Sequence, residues 1–372
     1  MTALAATLEG KRVIIVAGSG GVGKTTASAA LALGLAAEGG RVAVVTIDPA
    51  KRLAESLGLE QLCNEPRRVE PELFERHGID VRGELWAMML DPKATFDDLM
   101  VRLSPDTQTR DEVLGNRIYR ELSGAVAGTQ EFSAIAKLYD LHHEGGFDVL
   151  VLDTPPSRNA LDFLDAPDRL TDFFEGRALK VLLAPKGIAG RLLGAGTSVV
   201  FSVLKRITGV DLLSDIAAFF RSLGGLVDGF KERAAGVKAL LTDPVTTFLI
   251  VTSPEREPAA EAVFFHRKLH EARMPFGALI VNRVHVPDNE ISDVDAVRAG
   301  LGDALGDRLA GKVAQAVAHV QLLGVRDAES IERLKAQLDE PDPIVVPSLD
   351  GEISDVRRGL ADGHDRGAPG GA

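Results

Sequence analysis

Seven short runs rich in Val, Ile and Leu, at residues 12–17, 41–47, 85–90, 148–152, 246–251, 278–281 and 344–346, alternate with longer stretches of helical spacing. Continuous apolar runs suit strands covered on both faces, and strands separated by helices pair through crossovers rather than hairpins. The pattern therefore predicts an α/β fold, a doubly wound and mostly parallel sheet. At 372 residues, 45% of them hydrophobic, the chain has ample material for such a core. Residues 167–243 interrupt the alternation with no clear strand. There Leu213, Ile216, Phe219, Phe220, Leu223, Leu226, Val227 and Phe230 recur at helical spacing, with Asp211, Asp215, Arg221 and Asp228 on the opposite side. The strand pattern then resumes, so the expected organisation is one discontinuous core domain, 1–166 and 244–360, holding a helical insertion at 167–243. Residues 361–372, rich in Gly and Asp, are expected to form a flexible tail.

The charge balance narrows the partners. Lys and Arg number 42 against 54 Asp and Glu, a net charge of −12, which argues against recruitment by nucleic acid or an anionic membrane. The single thiol, Cys63, cannot form an internal disulfide, and this fits a reducing compartment. The opening residues lack the basic and long apolar regions of an export signal, so a cytoplasmic protein is expected. The apolar run at 192–204 would reach only about 20 Å as a helix, short of the ~30 Å hydrocarbon layer.

The most specific motif follows the first strand: Gly18-Ser19-Gly20-Gly21-Val22-Gly23-Lys24-Thr25-Thr26, leading into an Ala/Leu-rich helix that runs to about Ala37. This is the G-x-x-x-x-G-K-T pattern in its strand, loop, helix context. Glycines let successive backbone N–H groups turn inward around phosphate oxygens, and the positive end of the helix adds attraction. Gly20, Gly21, Val22, Gly23, Lys24, Thr25 and Thr26 are the expected nucleotide contacts. In that arrangement Lys24 neutralises the β- and γ-phosphates and the Thr25 hydroxyl sits on Mg²⁺.

A magnesium nucleotide also needs a carboxylate at a neighbouring strand end, and Asp153 stands at the end of Val149-Leu150-Val151-Leu152 to hold the metal through water. Asp48, at the end of the second strand, is placed to orient an attacking water, or else simply begins an Asp-Pro turn. Guanine-reading proteins of this type carry Asn-Lys-x-Asp. Here the strand ends Val281-Asn282-Arg283-Val284-His285, which favours ATP, and Asn282 either contacts adenine or caps the strand.

These blocks resemble the arsenite-pump and tail-anchored-protein-targeting ATPases, a branch of the dimeric P-loop ATPases, and most of all the actinobacterial members of anion-transporting ATPase type. The residues that carry the resemblance are 18–26, Asp48-Pro49-Ala50-Lys51-Arg52 with the residues on to Gly58, and Asp153-Thr154-Pro155-Pro156-Ser157-Arg158-Asn159 with the residues on to Pro167. The resemblance implies that Asp48 is the water-positioning acid, Asp153 the magnesium acid and Asn282 an adenine contact, and that the loop around Pro347 passes the base. It also implies ATP hydrolysis, a nucleotide-sandwich dimer, and either a hydrophobic client held by the insertion or a membrane protein energised by the ATPase.

Ser19 departs from the family, whose members usually carry there a lysine that reaches the partner's phosphates. That departure leads to the expectation of slow turnover alone and of a lysine-bearing paralogue completing the site. Lys51-Arg52 and Ser157-Arg158-Asn159 depart as well, and Arg52 or Arg158 is a candidate replacement charge. With one cysteine, neither a three-thiolate metalloid site nor the C-x-x-C zinc pair of some family dimers is expected.

Overall fold

The computed structural model describes residues 3–47, 52–57, 59, 61–76, 78–122, 129–154, 226–286, 294–338 and 342–348. Alternation along the central strands divides the side chains between two packed faces. In β1 (Val13–Ala17), Val13, Ile15 and Ala17 face one cluster while Ile14 and Val16 face the other. The same division holds in β2 (Arg41–Thr46), β5 (Val149–Asp153) and β6 (Thr246–Thr252), where Phe248 and Ile250 go one way and Leu249 and Val251 the other. A period of two with both sets apolar requires helices on both sides.

They are there. One face is covered by α1 (Ala3–Leu8), α2 (Lys24–Ala37) and α3 (Arg52–Ser56), through Leu8, Ala29, Ala32, Leu33, Ala36, Leu53 and Ala54. The other is covered by α8 (Thr129–Glu144), α9 (Val227–Thr242), α10 (Arg256–Glu271) and the C-terminal half of α12 (Asp307–Leu338), numbering the described elements in chain order. Phe265 and Leu269 seat α10 on the sheet, whereas their neighbour Phe264 is 40% exposed and does not.

The sheet runs β3-β4-β2-β5-β1-β6-β7-β8, with β3 (Arg67–Arg68), β4 (Glu84–Met89), β7 (Phe276–Val284) and β8 (Ile344–Pro347) completing it. Every pairing is parallel except β3 on β4. The doubly wound α/β expectation holds, and all seven anticipated strands are present. The eighth, β3, is two exposed arginines at the sheet edge, too short and too polar to register as a hydrophobic run. β7 also extends past the anticipated 278–281: beyond the polar Asn282 and Arg283, which interrupt the apolar run, the buried Val284 pairs with Pro347.

A third apolar cluster lies among helices. α5 (Pro92–Leu103) starts where the Asp91 carboxylate accepts from the Ala94 N–H at 2.9 Å and Pro92 takes the first turn. It packs with α6 (Thr107–Gly115), α7 (Arg117–Leu122) and the N-terminal halves of α8 and α9. Phe96 stacks on Tyr119 at 6.3 Å and meets Phe230 at 6.0 Å. α9 therefore joins two layers: Phe230 and Ala234 face this cluster, and Val237, Leu240 and Leu241 face the sheet. Of the apolar series anticipated for the insertion, Leu226 and Phe230 are buried here. Leu213, Ile216, Phe219, Phe220 and Leu223, like the 361–372 tail, lie outside the described residues.

Candidate nucleotide site

β1 lies between β5 and β6, so the loop that follows it opens where the sheet's connections diverge to left and right. In open α/β sheets ligands bind at that crevice. Two glycines in the loop are required sterically. Gly18 has φ +150 and Gly23 φ +96, and a Cβ on either would collide, with the Val251 carbonyl in the first case and the Asn282 side-chain amide in the second. Gly20 and Gly21 form the exposed tip, and Val22 is buried beneath them. Gly23 leads directly into α2, whose first residues are Lys24, Thr25 and Thr26.

Lys24 is buried, and its ammonium donates to the carbonyls of Gly18 at 2.9 Å and Ser19 at 2.8 Å. The positive charge thus lies inside the loop. The Thr25 hydroxyl donates to Asp153 Oδ2 at 2.8 Å, joining the two residues that the sequence assigns to magnesium from 128 positions apart. Thr46, at the end of β2, donates to the same oxygen at 2.9 Å. The sheet register sets this up: Asp153 lies opposite Val16 on one side and Thr46 on the other. Thr154 then closes the strand end by donating its hydroxyl to the Val16 carbonyl at 2.9 Å.

An alcohol and a carboxylate on one loop mouth are hard oxygen donors and fit Mg²⁺, which takes one or two protein oxygens and completes its shell with phosphate and water. The sequence pattern alone does not single out Thr46. A polar residue ending an otherwise apolar strand was the available signal.

Asp48 lies outside the described residues, as do Lys51 and Arg158; the strand leading to Asp48 ends beside Asp153. Arg52 is exposed at the start of α3. Asn282 stands against the loop: its amide donates to the Val22 carbonyl at 2.8 Å, and its Oδ1 accepts from the Arg283 N–H at 2.9 Å. Pro347 ends β8 opposite Val284, and the Ser348 N–H donates to the Val284 carbonyl at 2.8 Å.

Two further acids enter only through the fold. Ser19 is buried and donates to Glu261 Oε2 on α10 at 2.5 Å, across 242 residues. On α12, Asp327 is 1% exposed and accepts from the His285 N–H at 3.0 Å, with His285 Nδ1 at 2.8 Å and Arg326 at 3.2 Å. Burial pushes the Asp327 carboxyl up, but the bonds from the His285 backbone and ring and from Arg326 outweigh it and hold the group below the ordinary aspartate value.

A family model described as anion-transporting ATPase matches residues 11–304. Among proteins similar to this chain are ATPase ARSA2 of Chlamydomonas reinhardtii, 27% identical over 281 residues, and ATPase GET3 of Rhodotorula glutinis, 26% identical over 280. A third is ATPase GET3A of Arabidopsis thaliana, 26% identical over 287. These alignments cover 74%, 74% and 76% of this chain and 68%, 71% and 70% of the respective relatives. Extending from just before β1 to the end of α11 (Val294–Leu305) and so enclosing the phosphate loop and its acid, the match makes the chain a member of the anion-transporting ATPase family, a family of ATPases.

Proposed function

We propose that the protein is a cytoplasmic, Mg²⁺-dependent ATP switch, which hydrolyses ATP and couples its nucleotide state, through a dimer, to binding of a hydrophobic client or protein partner. The observation behind this reading is the convergence of Thr25, Asp153 and Thr46 beneath a loop that already encloses the Lys24 ammonium. When ATP enters, Lys24 exchanges two neutral carbonyl acceptors for phosphate oxygens. The ammonium's bonds are charge-assisted with either acceptor, but an anionic phosphate oxygen adds an ion–ion attraction that a neutral carbonyl lacks, so the exchange favours the bound state. Asp153 orients the Thr25 hydroxyl and holds the metal through water; when bound, Mg²⁺ neutralises charge developing on the transferred phosphoryl group. Asp48 is the proposed water-positioning acid, and Asn282 with the Pro347 loop the proposed adenine side.

Ser19 gives the proposed dimer a particular character. It offers no cation to a partner's phosphates, and its hydroxyl is engaged with Glu261. A second, lysine-bearing chain is therefore the proposed source of the missing charge. The description of the matching family supports an alternative role, that of an ATPase subunit energising or regulating an anion transporter. In that alternative the protein reaches the membrane through a partner; among the described residues no helix is long and apolar enough to cross one. A stable complex with a multispanning protein, absent for soluble clients, would distinguish it.

Calorimetry with Mg-ATP tests the central claim. Lys24→Ala is expected to weaken binding by at least about 30-fold, the low end of removing one member of a buried charge pair. Undiminished affinity in that variant would reject the site.

A further inference from the structure

β7 does not end as a regular strand. Its register with β8 shifts between Val281 and Val284, and Arg283 between them adopts a left-handed backbone with φ 61. For a residue with a side chain this costs roughly 1–2 kcal/mol, so the kink persists only if its surroundings hold it. What holds it is α12. Asp327 grips His285 at both the backbone N–H and the ring, and Arg326 occupies its other oxygen. The His285 N–H and Arg326 both donate to this buried carboxylate, and with His285 Nδ1 beside it they favour its ionised form. Three residues further along α12, Ser330 donates to the Pro254 carbonyl at 2.6 Å and clamps the helix to the end of β6. On the other side of the kink, Asn282 turns onto the Val22 carbonyl and packs against Gly23. Contacts at both ends of the four-residue stretch Asn282–His285 thus tie it to α12 on one side and to the phosphate loop on the other.

We infer that Asp327 is a positioning residue for the nucleotide base: it fixes the kinked end of β7 so that Asn282 and the neighbouring Pro347 strand end present one defined edge to adenine. This rests on the proposal that the base lies on that side. Asp327 itself touches neither the loop nor, by this inference, the nucleotide. Its loss loosens recognition of the base and leaves the phosphate cup, built by β1 and α2, as it was.

The discriminating measurement is equilibrium binding of Mg-ATP and of Mg-tripolyphosphate, which lacks a base, to the full chain and to Asp327→Asn and His285→Ala. The wild-type protein is expected to prefer ATP. Asp327→Asn should shrink that preference about tenfold, the weight of one charge-assisted hydrogen bond, with tripolyphosphate affinity unchanged within about twofold. His285→Ala, at a partly exposed residue that keeps its backbone bond, should shrink it by less. A wild-type preference retained in Asp327→Asn, or equal weakening of both ligands, overturns the inference. Absence of any preference in the wild-type protein overturns the underlying placement of the base instead, so the two failures are told apart.

Discussion

Asp153 accepts hydroxyls from two different elements with one oxygen, and its charge, more than its shape, suits it to magnesium. Asn at this position keeps an acceptor for Thr25 and Thr46 but removes the anion. Asp153→Asn is therefore expected to bind ATP without Mg²⁺ about as well as wild type, while addition of Mg²⁺ no longer strengthens binding; titrations with and without the metal check this. Asp327 makes a different prediction, one about acid. Its folded value lies below the ordinary 3.8, so its stabilising contribution is complete above that value and is lost as the pH falls through the lower, folded one. Asp327→Asn should accordingly flatten the acid limb of the stability profile below about pH 4 in denaturant titrations. An unchanged slope there would show that the carboxylate is not ionically engaged.

Individual helices differ in what holds them. α5 begins at an exposed capping aspartate, and Asp91→Ala should cost about 1 kcal/mol, the usual loss for one capped N–H. α10 is held instead by packing, with Leu269 wholly buried on the sheet. Leu269→Ala should cost about 3 kcal/mol, because transfer and cavity terms add. Thermal or urea unfolding of the two variants compares them directly, and equal losses would contradict the division. α10 also supplies Glu261 to the phosphate loop, so its seating bears on the site as well as on stability.

Glu261 shapes the expected behaviour of the assembled protein. A lysine introduced at position 19 would meet the Glu261 carboxylate of its own chain before it could reach a second one. Ser19→Lys alone is thus expected to leave turnover nearly unchanged, whereas Ser19→Lys with Glu261→Gln should raise it more than tenfold, a modest share of the ~10³ to 10⁵ that a trans cation contributes. Steady-state phosphate release measures this, with Glu261→Gln as the reference. No gain in the double variant would remove the argument for a cation supplied by a partner. Vigorous turnover by the unmodified chain alone would remove it too.

Much of this architecture was legible in one dimension because its causes are local or periodic. Apolar alternation marks a strand buried on both sides wherever it occurs, and seven of eight strands followed from it. Glycines followed by Lys-Thr between a strand and a helix mark the proposed phosphate cup by local pattern, and a carboxylate at a strand end singled out Asp153, which the fold brings onto Thr25. The remainder depends on residues brought together by the fold. Thr46 joins Asp153 because β2 lies beside β5, Glu261 meets Ser19 because α10 returns past β1, and Asp327 grips His285 because α12 folds back along β7. Such pairs have no periodicity and no fixed spacing. They are set by strand order and helix packing, whose energy is summed over the whole core, and no single stretch of the chain encodes them.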